Sequence, residues 1–318
     1  MIKYILKRLV IMLFTLFIIA TATFFLLAAV PGDALTARAD KLPAEITENL
    51  YKKYGLDKPV LERYVLTMTS MLKGDFGESI IYEGQTVWSI IQEKGPVSAR
   101  LGLQQMFLGV SVGLVLGVIA AMYKGRFVDY AIVVGSVCLI SIPSLIFAML
   151  LQKIFAGYLG WFPVIGWPKG DDMWFGGFEY TVLPTLAGCF TYIASYARLL
   201  KASMLDTLSQ EYILTAHSKG LSEFAVVTKH VIRNSFIPIV TNLPMTVAMC
   251  ITGSFFIERI FAIPGIGMYY VSAISGRDVT IVMGQTVIIA AIYIVVVFFT
   301  DILYTIVDPR IRIQGARR

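Results

Sequence analysis

Long uncharged stretches alternate with short charged ones along the 318 residues of this chain. A hydrocarbon layer about 30 Å thick is crossed by about 20 apolar residues of α-helix. The stretches of about that length without Asp, Glu, Lys, Arg or His are 9–30, 101–123, 130–152, 180–197, 234–257 and 279–300. The pattern therefore predicts an all-α polytopic membrane protein with six transmembrane helices.

The domain organisation follows from these stretches. The first one comes after Lys3, Lys7 and Arg8, as in a secretory signal peptide, but it is longer than the roughly 7–15 apolar residues of such a peptide. We expect it to be retained as a span. The predicted parts are a cytoplasmic N-terminus with the first span (1–30), an extracytoplasmic segment of short helices (31–100), a five-span core (101–307) and a basic cytoplasmic tail (308–318). Within the second part, helical periodicity is visible around 44–54 and 61–72.

Composition supports an integral membrane protein. Hydrophobic residues make up 57% of the chain and charged residues only 15%, against about 25% in a soluble domain. The three cysteines, Cys138, Cys189 and Cys250, all lie in apolar stretches, where Cys acts as a small apolar side chain. No disulfide framework is predicted.

The distribution of charge predicts the orientation and excludes a nucleic-acid partner. The net charge is +6. With both termini in the cytoplasm, the inside segments carry 14 basic and six acidic residues, as the positive-inside rule requires. This basic excess suits contact with the anionic lipid of an inner leaflet, so the lipid bilayer explains the charge without any nucleic acid.

Several functional classes lack their usual residues. An ion-coupled carrier usually holds a charged or readily protonated side chain near the membrane midplane, and the six stretches contain no Asp, Glu, Lys, Arg or His. Backbone carbonyls at broken helices can also bind sodium, so ion coupling stays an alternative. No G-x-x-x-x-G-K-[ST] motif is present, and His217 and His230 lie in a loop without nearby Cys. We therefore expect no catalytic residue, no metal and no cofactor bound by this chain.

The connection 198–233 is long for a passive linker. Its pattern predicts a helix through 199–218, a stop at Gly220 and a new start at Ser222, which is a helix-turn-helix in the cytoplasm.

One helical face of this loop holds mostly small residues. Tyr212, Ala216 and Gly220 recur every four residues, with Thr215 beside them, so another backbone could approach closely. The spacing alone equally allows an amphipathic element on the membrane surface, whose basic residues are Lys219, Lys229 and Arg233.

The run EYILTAHSKGL followed by KHVIRNSFIPIV resembles the "EAA" loop of ABC-importer permeases. In that family the loop carries a coupling helix that inserts into a cleft of the ATP-binding subunit. By position, Gly220 is the motif's glycine, Ala216 its second alanine and Thr215 replaces its first, while Leu214 stands where the family has glutamate. The resemblance implies a coupling contact through Glu211, Tyr212, Thr215, Ala216, Lys219, Gly220 and Leu221.

Further segments extend the resemblance over nearly the whole chain. They are ILKRL, AAVPGDAL, YGLDKPVLERY, KGDFGES, ISIPSLIFAMLLQ, LGWFPVIGW, FFIERIFAIPGIG, SGRD and DILYTIVDPRIR. Together they are similar to the B-type subunits of the oligopeptide/dipeptide permease family.

This resemblance implies an assembly, a cargo and a location in a bacterial inner (plasma) membrane. The expected partners are a second homologous permease, two ATP-binding subunits that hold ATP and Mg, and an extracytoplasmic peptide-binding protein. The implied activity is import of oligopeptides, with this chain as a non-catalytic subunit. Dipeptides, nickel complexes and glutathione are alternative cargoes, and an ion-coupled secondary transporter or a membrane scaffold without transport is an alternative function.

Prolines in the third and fifth predicted spans are candidates for a gate. Pro143, followed by Ser144, lies in the third span, and Pro238 and Pro244 lie in the fifth. Proline frees a helix carbonyl and bends the helix. Ordinary bending is the simpler interpretation, and a flexible gate beside the translocation path is the alternative.

Overall fold

The computed structural model of the chain describes residues 2–32, 35, 44–170 and 172–307. The predicted basic tail, 308–318, lies outside the described residues. So do residues 33, 34 and 36–43 of the predicted extracytoplasmic segment.

The described residues are helical, with one isolated antiparallel bridge between Glu78 and Thr86 and no β-strand in these ranges. In chain order the helices are α1 (Ile2–Ala29), α2 (Ala44–Lys53), α3 (Val60–Leu72), α4 (Val87–Met122), α5 (Phe127–Ser141), α6 (Ser144–Leu151), α7 (Asp172–Phe175), α8 (Phe178–Leu208), α9 (Glu211–Ser218), α10 (Glu223–Val226), α11 (Ile232–Ser235), α12 (Ile237–Ile251), α13 (Phe255–Ile260), α14 (Ile266–Ser275) and α15 (Val279–Val307). The π-helical turns Gln152–Tyr158 and Val227–Val231 continue α6 and α10. The all-α prediction is confirmed for this part of the chain, and α2 and α3 lie where periodicity predicts short helices.

Several helices are long and apolar enough to cross a membrane. Within the described ranges these are Ile5–Ala29, Val87–Met122, Ile237–Ile260 and Val279–Thr300. The helices Phe127–Ser141 and Ser144–Tyr158 pass the same test only as a pair. The remaining predicted span, 180–197, lies within α8, whose 31 residues extend about 46 Å. The chain is thus a multi-pass membrane protein, while the number of six crossings stays a prediction.

The third predicted span is not one continuous helix. The sequence predicts a helix over 130–152, but α5 ends at Ser141 and α6 begins at Ser144, with a bend of 95° between them. Pro143 causes this break, because a residue before proline is pushed out of the helical region. Ile142 accordingly has φ −85° and ψ 120°. The proline therefore breaks the span where gentle bending was the simpler expectation.

The described residues of 1–96 and 264–299 form one compact unit. In its core, Ala20 and Phe24 of α1 pack in one cluster with Met283 and Val287 of α15. A buried carboxylate, Asp278, precedes α15.

Asp278 joins the start of α15 to the loop before α4. Its Oδ1 accepts a hydrogen bond from the Ile281 amide at 3.1 Å, which caps the helix. Its Oδ2 accepts from Ser79 Oγ at 2.6 Å and from the amides of Ile80 and Ile81 at 2.9 and 3.1 Å. Every buried charge needs such partners, so this one residue fixes the loop against the helix.

The described residues of 97–263 and 300–307 form a second compact unit. Here α4 approaches α8 closely through glycines spaced four residues apart. A Cβ on Gly109, Gly113 or Gly117 would lie 2.6, 2.7 or 2.8 Å from the carbonyl oxygen of Cys189, Ile193 or Ala197, respectively. Small residues at this spacing are typical of tight helix pairs in membranes. Only glycine allows this separation, so α8 lies directly against α4.

Buried charges hold the connecting segments of this unit on α4. Glu258 of α13 accepts hydrogen bonds from Ser98 Oγ at 2.8 Å and from the Ser254 amide at 3.0 Å. The buried Arg100 donates to the carbonyl oxygens of Asp172 and Gly176, at 2.8 and 2.6 Å. These bonds fix α13 and the segment around α7 relative to α4.

Candidate functional site

The loop that connects α8 to α12 folds as a helix-turn-helix. It contains α9, a turn at Gly220, and then α10, a π-helical turn and α11 in continuous sequence. This arrangement agrees with the predicted stop at Gly220 and the predicted start at Ser222.

Gly220 ends α9 with a Schellman motif. Its φ is +80°, a region that glycine enters without a steric penalty. The Gly220 amide donates to His217 O at 2.9 Å, and the Leu221 amide donates to Ala216 O at 3.4 Å. The next helix begins at once, because Ser222 Oγ accepts from the Ala225 amide at 3.4 Å.

The first part of the loop departs from the prediction. The sequence predicts one helix over 199–218, but the structure ends α8 at Leu208 and starts α9 at Glu211. Ser209 Oγ and Gln210 Nε2 both donate to the carbonyl oxygen of Asp206, at 2.8 and 3.2 Å. Such local side-chain bonds compete with the helical pattern, and here they accompany its interruption.

The inner face of the loop packs on α8. Ile213 and Ala216 of α9 and Val226, Val227 and Val231 after the turn are buried. They share one cluster with Leu200 and Met204 of α8. Ala216 is only 6% exposed, so it contacts its own unit and is not on the accessible side. This placement corrects the expectation that Ala216 belongs to the contact face.

The other predicted coupling residues lie on the accessible side. The side chains of Glu211, Tyr212, Thr215, Lys219 and Leu221 are exposed, and so is Gly220. The structure thus brings six of the seven predicted residues to the surface of α9 and its following turn.

Two exposed apolar residues were not predicted as part of this surface. Leu214 is 71% exposed and Phe224 is 78% exposed. Leu214 occupies the position at which the resembled motif has glutamate, and this replacement is the sequence signal that could have identified it. Phe224 follows the helix start directly, where sequence reasoning treated it only as part of a helix.

Polar contacts join α5 to α8 and the end of the loop to α8. Asp129 of α5 pairs with Lys201 of α8 and accepts a hydrogen bond from the Gly125 amide at 3.0 Å. Ser235 Oγ of α11 donates to Thr207 Oγ1 of α8 at 3.0 Å. A movement of the loop would therefore be transmitted to α8.

The predicted gate residues are separated along the fold. Pro143 and Ser144 lie exposed at the break between α5 and α6. Pro238 occupies the first turn of α12, where a missing amide costs no helical hydrogen bond, and Pro244 lies inside that helix. Of the four residues, Pro143 stands at the sharp bend.

Metal ligands do not cluster in the described ranges: no group of three or more His, Cys, Asp or Glu there could hold a metal ion.

Comparison with known protein families decides what kind of membrane protein this is. The family model for the inner membrane component of binding-protein-dependent transport systems matches residues 113–313. The model for the N-terminal part of such membrane components matches residues 1–102. The chain belongs to this family of transport-system inner membrane components.

Similar proteins cover this inner membrane component from end to end. A dipeptide transport system permease protein of Lactococcus lactis is 41% identical over 98% of this chain and 100% of the relative. Its counterpart in Bacillus subtilis is 40% identical over 99% of each chain. An oligopeptide transport system permease protein of Haemophilus influenzae is 37% identical over 98% of this chain and all of the relative. The resemblance first identified from short motifs is thereby confirmed.

Proposed function

We propose that this chain is the membrane-spanning permease subunit of an ATP-driven (ABC) importer that translocates peptides delivered by an extracytoplasmic binding protein. The observation that carries the proposal is full-length similarity to proteins named as dipeptide and oligopeptide permeases. Because some of these relatives are named for dipeptides and others for oligopeptides, short peptides as a class are the proposed cargo.

The assembly follows from this role. The chain pairs with a second homologous permease, and two cytoplasmic ATP-binding subunits bind ATP and magnesium and hydrolyse the nucleotide. This permease contributes no catalytic group. Six spans, with α5 and α6 together as the third and α8 as the fourth, leave both termini in the cytoplasm.

The loop between α8 and α12 is the proposed contact with an ATP-binding subunit. Its inner face is packed on α8, while Tyr212, Leu214, Leu221 and Phe224 expose apolar surface. These residues lie outside the predicted spans, and exposed apolar surface of this kind marks a site of contact with a protein or a membrane. When the nucleotide-bound subunits close, the packed loop would pull on α8 and so on the spans.

The bend at Pro143 is the proposed moving part of the translocation path. Pro143 and Ser144 link two short helices that lack a continuous backbone hydrogen-bond ladder, whereas Pro238 and Pro244 lie in or near helical turns. Motion at Pro143 thus requires fewer broken bonds than motion within α12.

Charge substitution tests the loop contact. The variant Tyr212→Glu with Phe224→Glu places two carboxylates on the exposed face of the loop and leaves the residues packed on α8 unchanged. We expect the ATP-binding subunits to be lost from the purified complex, because burying unpaired charge is costly. Leu72→Glu is the matched control, since Leu72 is 89% exposed and lies in α3.

The result also separates docking from the membrane-surface alternative. The double variant should lose both the co-purification of the ATP-binding subunits and the stimulation of their ATP hydrolysis by the complex. The control should keep both. If the double variant keeps its ATP-binding subunits and its transport, the loop is not the contact, and an element held on lipid becomes the better account.

A further inference from the structure

A groove lined by both polar and apolar surface runs between α8 and α12 in the second compact unit. It has a volume of about 560 Å³. Its lining residues are Ser195, Tyr196, Arg198, Leu199, Asn242 and Thr246. Most of these side chains are polar, although both helices belong to predicted spans.

The groove does not suit a lipid-facing surface. Ser195 and Asn242 are exposed, and the hydroxyls of Tyr196 and Thr246 form a 2.6 Å hydrogen bond across the two helices. Polar groups in a membrane face the bundle interior or a water-filled cavity, because hydrocarbon offers them no hydrogen bond. The groove therefore faces an aqueous path or another subunit.

The lining chemistry matches the groups that all peptides share. Hydroxyl and amide side chains both donate and accept hydrogen bonds, as the C=O and N–H groups of a peptide main chain require. Such contacts do not depend on the peptide's side chains, so one groove serves many sequences.

Arg198 adds a single positive charge to this neutral lining. It follows the uncharged stretch 180–197 directly, and its Nε donates to Ala194 O at 3.2 Å. Within the described ranges, its two terminal nitrogens have no hydrogen bond or ion pair. A guanidinium fork pairs with a carboxylate through two parallel bonds, which a lysine cannot reproduce.

We propose that this groove contacts the main chain of the peptide during passage and that Arg198 binds the peptide's C-terminal carboxylate. The inference rests on the proposed import function and adds to it a specificity-determining residue. It explains how a groove with one fixed charge accepts peptides of unrelated sequence, since every unmodified peptide ends in a carboxylate.

The test compares tri-alanine with its C-terminal amide in the complete transporter, reconstituted in proteoliposomes with its binding protein and ATP. Arg198→Gln should lower uptake of the free acid at least about tenfold, the effect of losing a charge-assisted hydrogen-bonded pair, and leave uptake of the amide within about twofold. The Arg198→Lys variant should take up the free acid at a rate between those of Arg198→Gln and the unmodified transporter. Any preference of the binding protein cancels, because it is the same for every variant.

Arg126→Gln is the matched control, since Arg126 is an exposed cation in the turn between α4 and α5, outside the proposed docking loop and on the same predicted side of the membrane. It should leave uptake of both peptides unchanged. A similar fall in uptake in the Arg198 variant and in the control would assign Arg198 to lipid contact. The proposal would also be overturned if Arg198→Gln lowered uptake of the acid and of the amide equally, or lowered neither. Absence of ATP-driven uptake in the unmodified transporter would instead refute the import function itself.

A second measurement does not depend on transport. In an Asn242→Cys variant of the complex, tri-alanine should slow labelling of position 242 by a maleimide, whereas its amide should not. Adding Arg198→Gln should remove the protection. Protection that is equal for acid and amide would contradict a carboxylate contact.

Discussion

Gly109, Gly113 and Gly117 stand where any side chain would collide with the backbone of α8. Their four-residue spacing places them on one face of α4, so the close contact continues over two turns. The sequence contains this spacing, but only the packed structure shows which helix it faces.

Gly113→Leu should therefore destabilise the second unit. Its Cβ alone would lie 2.7 Å from Ile193 O, and overpacking of this kind costs about 1–3 kcal/mol. A lower apparent melting temperature of the purified chain, measured by size-exclusion chromatography after heating, checks this.

Gly135→Leu provides the comparison, because an added Cβ at Gly135 of α5 meets no atom within 4 Å. Both variants add the same side chain to a membrane helix. Equal melting temperatures for the two would show that the glycine contact between α4 and α8 contributes nothing.

Individual residues also mark the limit of sequence reasoning. Ala216 was assigned to the contact face because it shares a helical face with Tyr212 and Gly220. Its burial depends on Leu200 and Met204, which lie on a different helix and give no local signal.

The loop between α8 and α12 shows which features of an element are predictable. Its turn was predicted because Gly220 and Ser222 act locally, as the Schellman motif and the helix cap confirm. The sequence does not predict the interruption after Leu208, and at Pro143 it predicts ordinary bending where the structure has a break of 95°. In both places the periodic apolar pattern continues across the break and conceals it.

Gly220→Val should uncouple ATP hydrolysis from transport. Valine at φ +80° is strained by about 1–2 kcal/mol, and this strain shifts the turn that joins the exposed residues of α9 and α10. Peptide transported per ATP hydrolysed should fall several-fold in the reconstituted complex.

Gly125→Val is the matched control for Gly220→Val. Gly125 has φ +75°, and, like Gly220, it has no atom within 4 Å of an added Cβ. It lies in the turn between α4 and α5, outside the loop. If both variants lowered the amount of peptide transported per ATP hydrolysed equally, backbone strain in general would account for the effect.

At the scale of the whole molecule, the apolar stretches predicted the helical class and most of the long helices. A long uncharged segment must satisfy its backbone within itself, so it forms a helix whatever its neighbours are. The apolar stretches do not establish the number of crossings in the same way, because the third stretch is bent by 95° and α8 contains many polar residues.

Fusions of alkaline phosphatase, which is active only outside the cytoplasm, test this topology. Truncation and fusion after Arg126 should give an inactive reporter, and fusion after Pro168 an active one, because α5 and α6 together cross the membrane. Inactivity at both sites would show instead that the bent pair enters and leaves on the same side.

ATP-driven peptide uptake is the most direct test of the central claim. The chain is reconstituted in proteoliposomes with its second permease, its ATP-binding subunits and its peptide-loaded binding protein, and labelled peptide inside the vesicles is measured. Uptake should require ATP on the side of the loop between α8 and α12 and should not respond to a proton or sodium gradient. Gradient-driven uptake by this chain alone, without ATP, would contradict the account.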